Sequence, residues 1–274
     1  MTGATCSACP VTSSRPAANL VVWTVVRRGL VVGAIAGLLA GVFAFVFGEP
    51  RVQDAIDIEN AAAHASLASL PLAHVGDWAV SRGEQRGGLL LATALYGIAA
   101  GGLFSIAFAT LRGRGSQRTD WELSTRLAGA IFVAIVLVPF LKYPPSPPAV
   151  GDPETIGQRT AYYLILLVGS ALAMFAAARV MWSMKPDAPP WARPLAGAGT
   201  FVVVAGGLAL ALPGVQEVPR DFPAPLLWEF RLSSLGTQAV LWASLGVGFG
   251  IATMRAAAAR GRTASAGERS VAAP

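Results

Sequence analysis

The chain has 274 residues, of which 54% are hydrophobic and only 13% charged, with 30 glycines and a mean hydropathy of +0.56. Roughly a quarter of a soluble domain is charged, so a water-soluble enzyme and a disordered chain are excluded. A disulfide-stapled secreted domain is excluded too, because Cys6 and Cys9 are the only cysteines. The net charge of +6 raises nucleic acid as a partner until the basic residues are placed along the chain.

Six apolar segments predict membrane-spanning helices over about 29–48, 88–110, 127–143, 161–183, 195–212 and 232–254. About 20 apolar residues cross a bilayer as helix, and a helix pairs its own backbone groups. None of the segments alternates as a barrel strand would. The fold class is therefore all-α: a polytopic membrane protein of three hairpins. Arg27-Arg28 precedes the first span as it would in a signal peptide, but the apolar run is about twice an h-region and ends in Phe45-Val46-Phe47-Gly48, a poor cleavage site. It reads as an uncleaved anchor. The third span is the shortest and has Pro139 near one end. Outer loops occupy 49–87, 144–160 and 213–231, the first long enough to hold a helix. The tails, 1–26 and 256–274, are small and polar and read as flexible.

With the N-terminus cytoplasmic, 14 of the 21 basic residues and four of the 15 acids fall inside, leaving seven basic residues and 11 acids outside. The inner side then carries +10 and the outer side −4, so the positive-inside rule puts both termini in the cytoplasm. The same distribution removes the case for nucleic acid.

Within the spans, Gly33, Gly37 and Gly41 recur every four residues, and Gly97 with Gly101 and Gly246 with Gly250 repeat the spacing. Such faces let helices approach closely; they pack a bundle or line a pore. No span has a carboxylate, histidine or lysine near its middle, so a buried proton wire is not expected. The phosphate loop and the nucleophile elbow are absent, and His64 and His74 are too far apart for an H-E-x-x-H helix. The chain is not expected to be an enzyme.

The acidic outer loops carry the chemical interest, since oxygen and imidazole ligands suit Mg, Mn, Co or Ni better than Cu(I). On a helix over 51–68, Glu59 shares a face with Val52, Ile56, Ala63 and Leu67, while Asp57 and His64 lie on an adjacent stripe. That pattern describes either metal capture or a solvated helix with Glu59 paired to an arginine. Each outer loop closes with an acid and then an arginine: Glu84 and Arg86, Glu154 and Arg159, Glu229 and Arg231. Interfacial snorkelling accounts for these, or else they build an ion-pair network around a vestibule. Asp152-Pro153-Glu154 reads as ligands or as the start of the fourth helix. Cys6-Ser7-Ala8-Cys9 has the spacing of half a zinc site, with no second pair to complete it, or of a redox pair; in a reduced cytoplasmic tail it reads as an incidental feature.

Several segments resemble the CbtA family of cobalt transporter subunits: Arg28-Gly29-Leu30, Ala36-Gly37-Leu38-Leu39-Ala40-Gly41, Gly48-Glu49-Pro50 with Ala55-Ile56 and Glu59, and Phe140 through Pro145. So do Pro148 through Arg159-Thr160, Glu217-Val218-Pro219, Asp221-Phe222-Pro223 and Leu227 through Leu232, the whole covering about 27–255. The resemblance implies a bacterial inner-membrane protein tied to cobalt uptake for cobalamin synthesis. It also implies a small single-span partner, CbtB, with a histidine-rich metal-binding end. Its matching acids are Glu49, Glu59, Asp152, Glu154, Glu217 and Asp221; His64 and the cysteines lie outside the matched motifs. The leading expectation is transport of a divalent cation, Co²⁺ above others, with no tightly bound cofactor. The alternative is a non-transporting scaffold of a metal- or cobalamin-handling complex. A hydrated ion crossing such polar-poor spans needs oxygen ligands, from backbone at Pro139, from the glycine-rich fifth span or from a partner chain.

Overall fold

A computed structural model describes residues 15–67, 82–113, 119–148, 150–151, 153–185 and 187–271. All regular structure among them is helical. Helix α1 (Arg15–Phe43) passes through a π-helical turn, Ala44–Gly48, into α2 (Glu49–Leu67), so the first span and its loop helix are one continuous rod. Then come α3 (Arg82–Leu111) and α4 (Asp120–Ile131), which passes through a second π turn, Phe132–Leu137, into α5 (Val138–Lys142). A 3₁₀ turn, Pro153–Thr155, leads into α6 (Ile156–Ser183), followed by α7 (Ala192–Ala211) and α8 (Ala224–Val271). Six of the helical stretches are long and apolar enough to cross a membrane. Leu210 is 87% and Val203 73% exposed, surface that hydrocarbon accepts and water does not.

Each π turn is separated by one residue from a following proline, and the reason is local. The N–H of Val138 reaches back five residues to the Val133 carbonyl, so Ala134 loses its usual donor. The next residue, Pro139, has no N–H to offer. Ser170 of α6 fills the gap by donating its hydroxyl to the Ala134 carbonyl, which ties α6 to the third span. At the other turn, Glu49 N–H likewise reaches back to the Ala44 carbonyl just before Pro50. Thr119 caps α4 by accepting from Glu122 N–H at 3.2 Å, the S/T-x-x-E pattern of a helix start.

Helix α1 lies along α3, α8 packs on α1 and on α4, and α6 pairs with α7 while leaning on the second π turn. Glycine sets the closest of these approaches. A Cβ at Gly97 would meet the Gly33 carbonyl and lie 2.6 Å from the Gly37 Cα; one at Gly101 would lie 2.8 Å from the Gly33 Cα. One at Gly41 would run into the Thr93 side chain. On the other side, a Cβ at Gly246 would lie 2.6 Å from the Ala128 Cβ, and one at Gly250 3.0 Å from the Trp121 ring. The glycine repeats therefore serve two helix seams, and Ser124 reinforces the second by donating to the Gly246 carbonyl at 2.7 Å. Between the seams lie Phe104, Phe108, Leu241, Leu245 and Phe249, each at most 2% exposed.

Three expectations change. The segment after 255 was expected to be flexible, but α8 continues to Val271. The alanine run 256–259 is a strong helix former and carries the helix beyond the bundle. At the other end, α1 begins at Arg15, within the stretch read as tail. The fourth span starts at Ile156 with Thr155 in the cap position, three residues past Asp152.

Candidate functional site

The ends of the bundle differ in charge, and the end carrying the acidic loops holds a belt of acid–arginine contacts. Glu49, at the start of α2, accepts from the Arg86 Nε at 3.0 Å; its side chain is only 13% exposed. Arg51, two residues on, pairs with Glu229 of α8 at 2.6 Å. Arg159 of α6 pairs with Glu217, in the segment after α7, at 2.9 Å. The Thr155 hydroxyl donates to the other oxygen of Glu217 at 2.5 Å. Arg231 donates to the Pro145 carbonyl at 3.4 Å, and the Tyr143 hydroxyl to the Pro213 carbonyl at 2.7 Å.

These contacts join elements that are distant in sequence. Arg86 and Arg159 find Glu49 and Glu217, where sequence proximity pointed to Glu84 and Glu154. A polar pocket of about 250 Å³ sits beside the Arg159 pair, lined by Thr155, Gln158, Tyr162 and Glu217. Gly151 adjoins it with φ +123°, a backbone conformation open to glycine, and a Cβ there would lie 2.5 Å from the Arg159 Nη1.

Glu59, placed by its spacing on the face of Val52 and Ile56, is exposed, and among the described residues of α2 the one turned into the protein is Ala55, fully buried. Helix geometry explains this. At 1.5 Å per residue Glu59 lies about 12 Å beyond Arg51, whereas α8 extends only about 7.5 Å past Glu229 before it ends. Helix α2 outruns its neighbour, and Glu59 has no α8 to face.

Glu154 is exposed on the 3₁₀ turn and Asp221 on the turn before α8. His64 belongs to α2, but its side chain lies outside the described residues, as do Cys6, Cys9, His74 and Asp152. Among the described residues no three of His, Cys, Asp and Glu converge as a metal-binding group. Of the seven residues considered as ligands, then, Glu49 and Glu217 are tied to arginine, and Glu59, Glu154 and Asp221 are exposed.

The spans also carry neutral polar residues, which a pattern of charge does not reveal. On α8, Ser233, Ser234, Thr237 and Gln238 follow Glu229 inward. The Ser233 and Ser234 hydroxyls donate to the Phe230 carbonyl at 2.8 and 2.9 Å, and Thr237 donates to the Ser233 carbonyl at 2.8 Å. Their signal was present: i, i+4 spacing puts Glu229, Ser233 and Thr237 on one stripe, with Ser234 and Gln238 beside it.

No curated protein and no solved structure matches the chain. A family described as "Probable cobalt transporter subunit (CbtA)" matches residues 22–254, which take in all six spans and the whole acid–arginine belt. With most of its length covered by that match, the chain belongs to the CbtA family, a family of transporter subunits and not of enzymes.

Proposed function

We propose that the protein carries a divalent transition-metal cation, Co²⁺ foremost, across the bacterial inner membrane from its acidic end to its basic end. The observation that carries this reading is the family match across all six membrane-spanning helices. The charge asymmetry supports the direction, since an excess of carboxylates concentrates cations at the entry face. Both termini lie in the cytoplasm in this orientation, and a single-span CbtB-like subunit is the partner. The imported ion serves cobalamin synthesis.

Capture by Glu49 or Glu217 has a specific requirement. Each carboxylate is neutralised by an arginine, so a metal ion bonds it only as Arg86 or Arg159 withdraws. The two arginines are 45% and 30% exposed, so each has open water into which it can swing as the ion takes its place. Glu59, Glu154 and Asp221, being exposed, act as collectors and not as a preformed cage; Asp152 and His64 belong to the same acidic face by sequence.

The scaffold reading is favoured by one observation: no three ligand-type side chains converge among the described residues. Uptake of radiolabelled Co²⁺ decides between the two. The chain is expressed alone, and with a CbtB-like partner, in cells lacking a high-affinity cobalt importer. Uptake above the empty vector supports transport; a folded, membrane-inserted protein with no uptake in either arrangement transfers the case to the scaffold.

A further inference from the structure

The α3 and α8 faces that approach each other are tiered, enclosed at Phe104, Phe108 and Phe249 and open to one side at Tyr96, which is 48% exposed. On α8, Gln238 is followed at helical spacing by Leu241, Leu245 and Phe249; on α3, Tyr96 is followed by Ala100, Phe104 and Phe108. The lower tiers are dry. Phe104 and Phe108 both meet the Phe249 ring edge-on, with centroids 5.4 and 5.0 Å away. The upper tier is polar: the Tyr96 hydroxyl lies beside the Gln238 side chain, with Tyr163 of α6 nearby. The Gln238 Oε1 is buried and has no hydrogen-bond partner among the described residues.

An amide oxygen in that position is costly to leave bare, because its desolvation is not returned by a bond. The Tyr96 hydroxyl accepts from the amide nitrogen, which leaves the oxygen as the amide atom without a partner. The hydroxyls above it add to the picture. Ser233, Ser234 and Thr237 spend their protons on helix carbonyls, so what remains on each is acceptor capacity. A run of acceptors matches the hydrogens of metal-bound water.

We propose that Gln238, with Tyr96 beside it, is an intramembrane cation station: its amide oxygen receives a hydrated divalent cation descending the Ser233–Thr237 stripe and holds it above the Phe104, Phe108 and Phe249 plug. The bond is made either to the metal or to one of its coordinated waters, and a neutral oxygen is a suitable ligand in both cases. This inference rests on the transport reading and gives that reading its first side-chain oxygen inside the membrane.

Purified protein in liposomes tests it through the KM and maximal rate of Co²⁺ uptake. Gln238→Leu is expected to lower uptake efficiency about 10- to 100-fold, the usual effect of losing a metal's supporting contact. Gln238→Glu is expected to lower KM and also the maximal rate, since a carboxylate binds the ion more tightly and releases it more slowly. A purely structural amide would give neither that split nor transport in the Glu variant. Should Gln238→Leu fail to fold, Gln238→Glu and Tyr96→Phe carry the test. Folded variants with wild-type KM and maximal rate overturn this inference and leave the transport reading intact. Absence of uptake by the wild type overturns both.

Discussion

Replacing Gly97 with alanine adds one methyl group at the closest point of the α1–α3 seam. The new Cβ would lie 2.6 Å from the Gly37 Cα and 2.8 Å from the Gly37 nitrogen, with the Gly33 carbonyl closer still. Carbon–carbon contacts are comfortable at about 3.5–4.0 Å, so the helices must separate by about 1 Å. All three obstacles are backbone atoms, and no rotamer change relieves them. Overpacking of this kind costs about 1–3 kcal/mol, while alanine's better helix propensity returns up to about 1 kcal/mol. The net expectation is a loss of about 1–2 kcal/mol. Gly207→Ala is the matched control, since a Cβ there meets nothing within 4 Å; it is expected to be neutral or slightly stabilising. Thermal unfolding of both variants in the same detergent, followed by the circular dichroism of the helices, makes the comparison. Equal melting of Gly97→Ala and Gly207→Ala would refute the claim that the α1–α3 approach depends on glycine.

Ser170→Ala should destabilise by about 1 kcal/mol by leaving the Ala134 carbonyl bare. In a Pro139→Ala background, where residue 139 regains an N–H, the same change should matter less; a double-mutant cycle on thermal stability measures the difference. Glu49→Gln should reduce Co²⁺ uptake more than Glu59→Gln, because Glu49 is mostly enclosed and tied to Arg86 across two helices while Glu59 is exposed. Equal uptake by the two variants would count against the belt as an entry structure. Gly151→Ala should cost about 1–3 kcal/mol of backbone strain and push Arg159 off Glu217. If Glu217→Gln then destabilises the wild type and the Gly151→Ala variant equally, the coupling is wrong.

The spans were legible because hydrocarbon leaves a helix few choices: length and apolarity announce it, and the glycine spacing announces the seams. The π turns were not, although Pro50 and Pro139 stood in plain view. Which carbonyl a proline strands depends on the turn geometry, and its rescue by Ser170 depends on a helix 36 residues away. Glu59 failed for a different reason. Its angular position on α2 was correct, but a face is buried only where a neighbour exists, and the length of α8 past Glu229 cannot be read from α2. The acid–arginine contacts were half legible: Arg86 and Arg159 do pair with acids, but Glu49 stands at the far end of the same outer loop as Arg86, and Glu217 comes from a different hairpin than Arg159. Gln238 was not legible, because an uncharged amide inside a bundle announces itself only through an oxygen left without a partner.

The α6–α7 seam is built from two reciprocal fittings: Leu208 of α7 enters the space at Gly169 of α6, and Met181 of α6 enters the space at Gly197 of α7. Much of the rest of α7 looks outward, as Leu195, Val202, Val203 and Leu210 do. Lipid asks of such positions only that they be greasy, so they hold almost no information about the fold. A library randomised over those four sites among Val, Ile, Leu and Phe should therefore return mostly folded proteins, whereas one randomised over Gly169, Met181, Gly197 and Leu208 should return few. For this helix, what specifies its place in the protein is concentrated in a handful of letters along one edge, and selection acting on the remainder has only hydrophobicity to see.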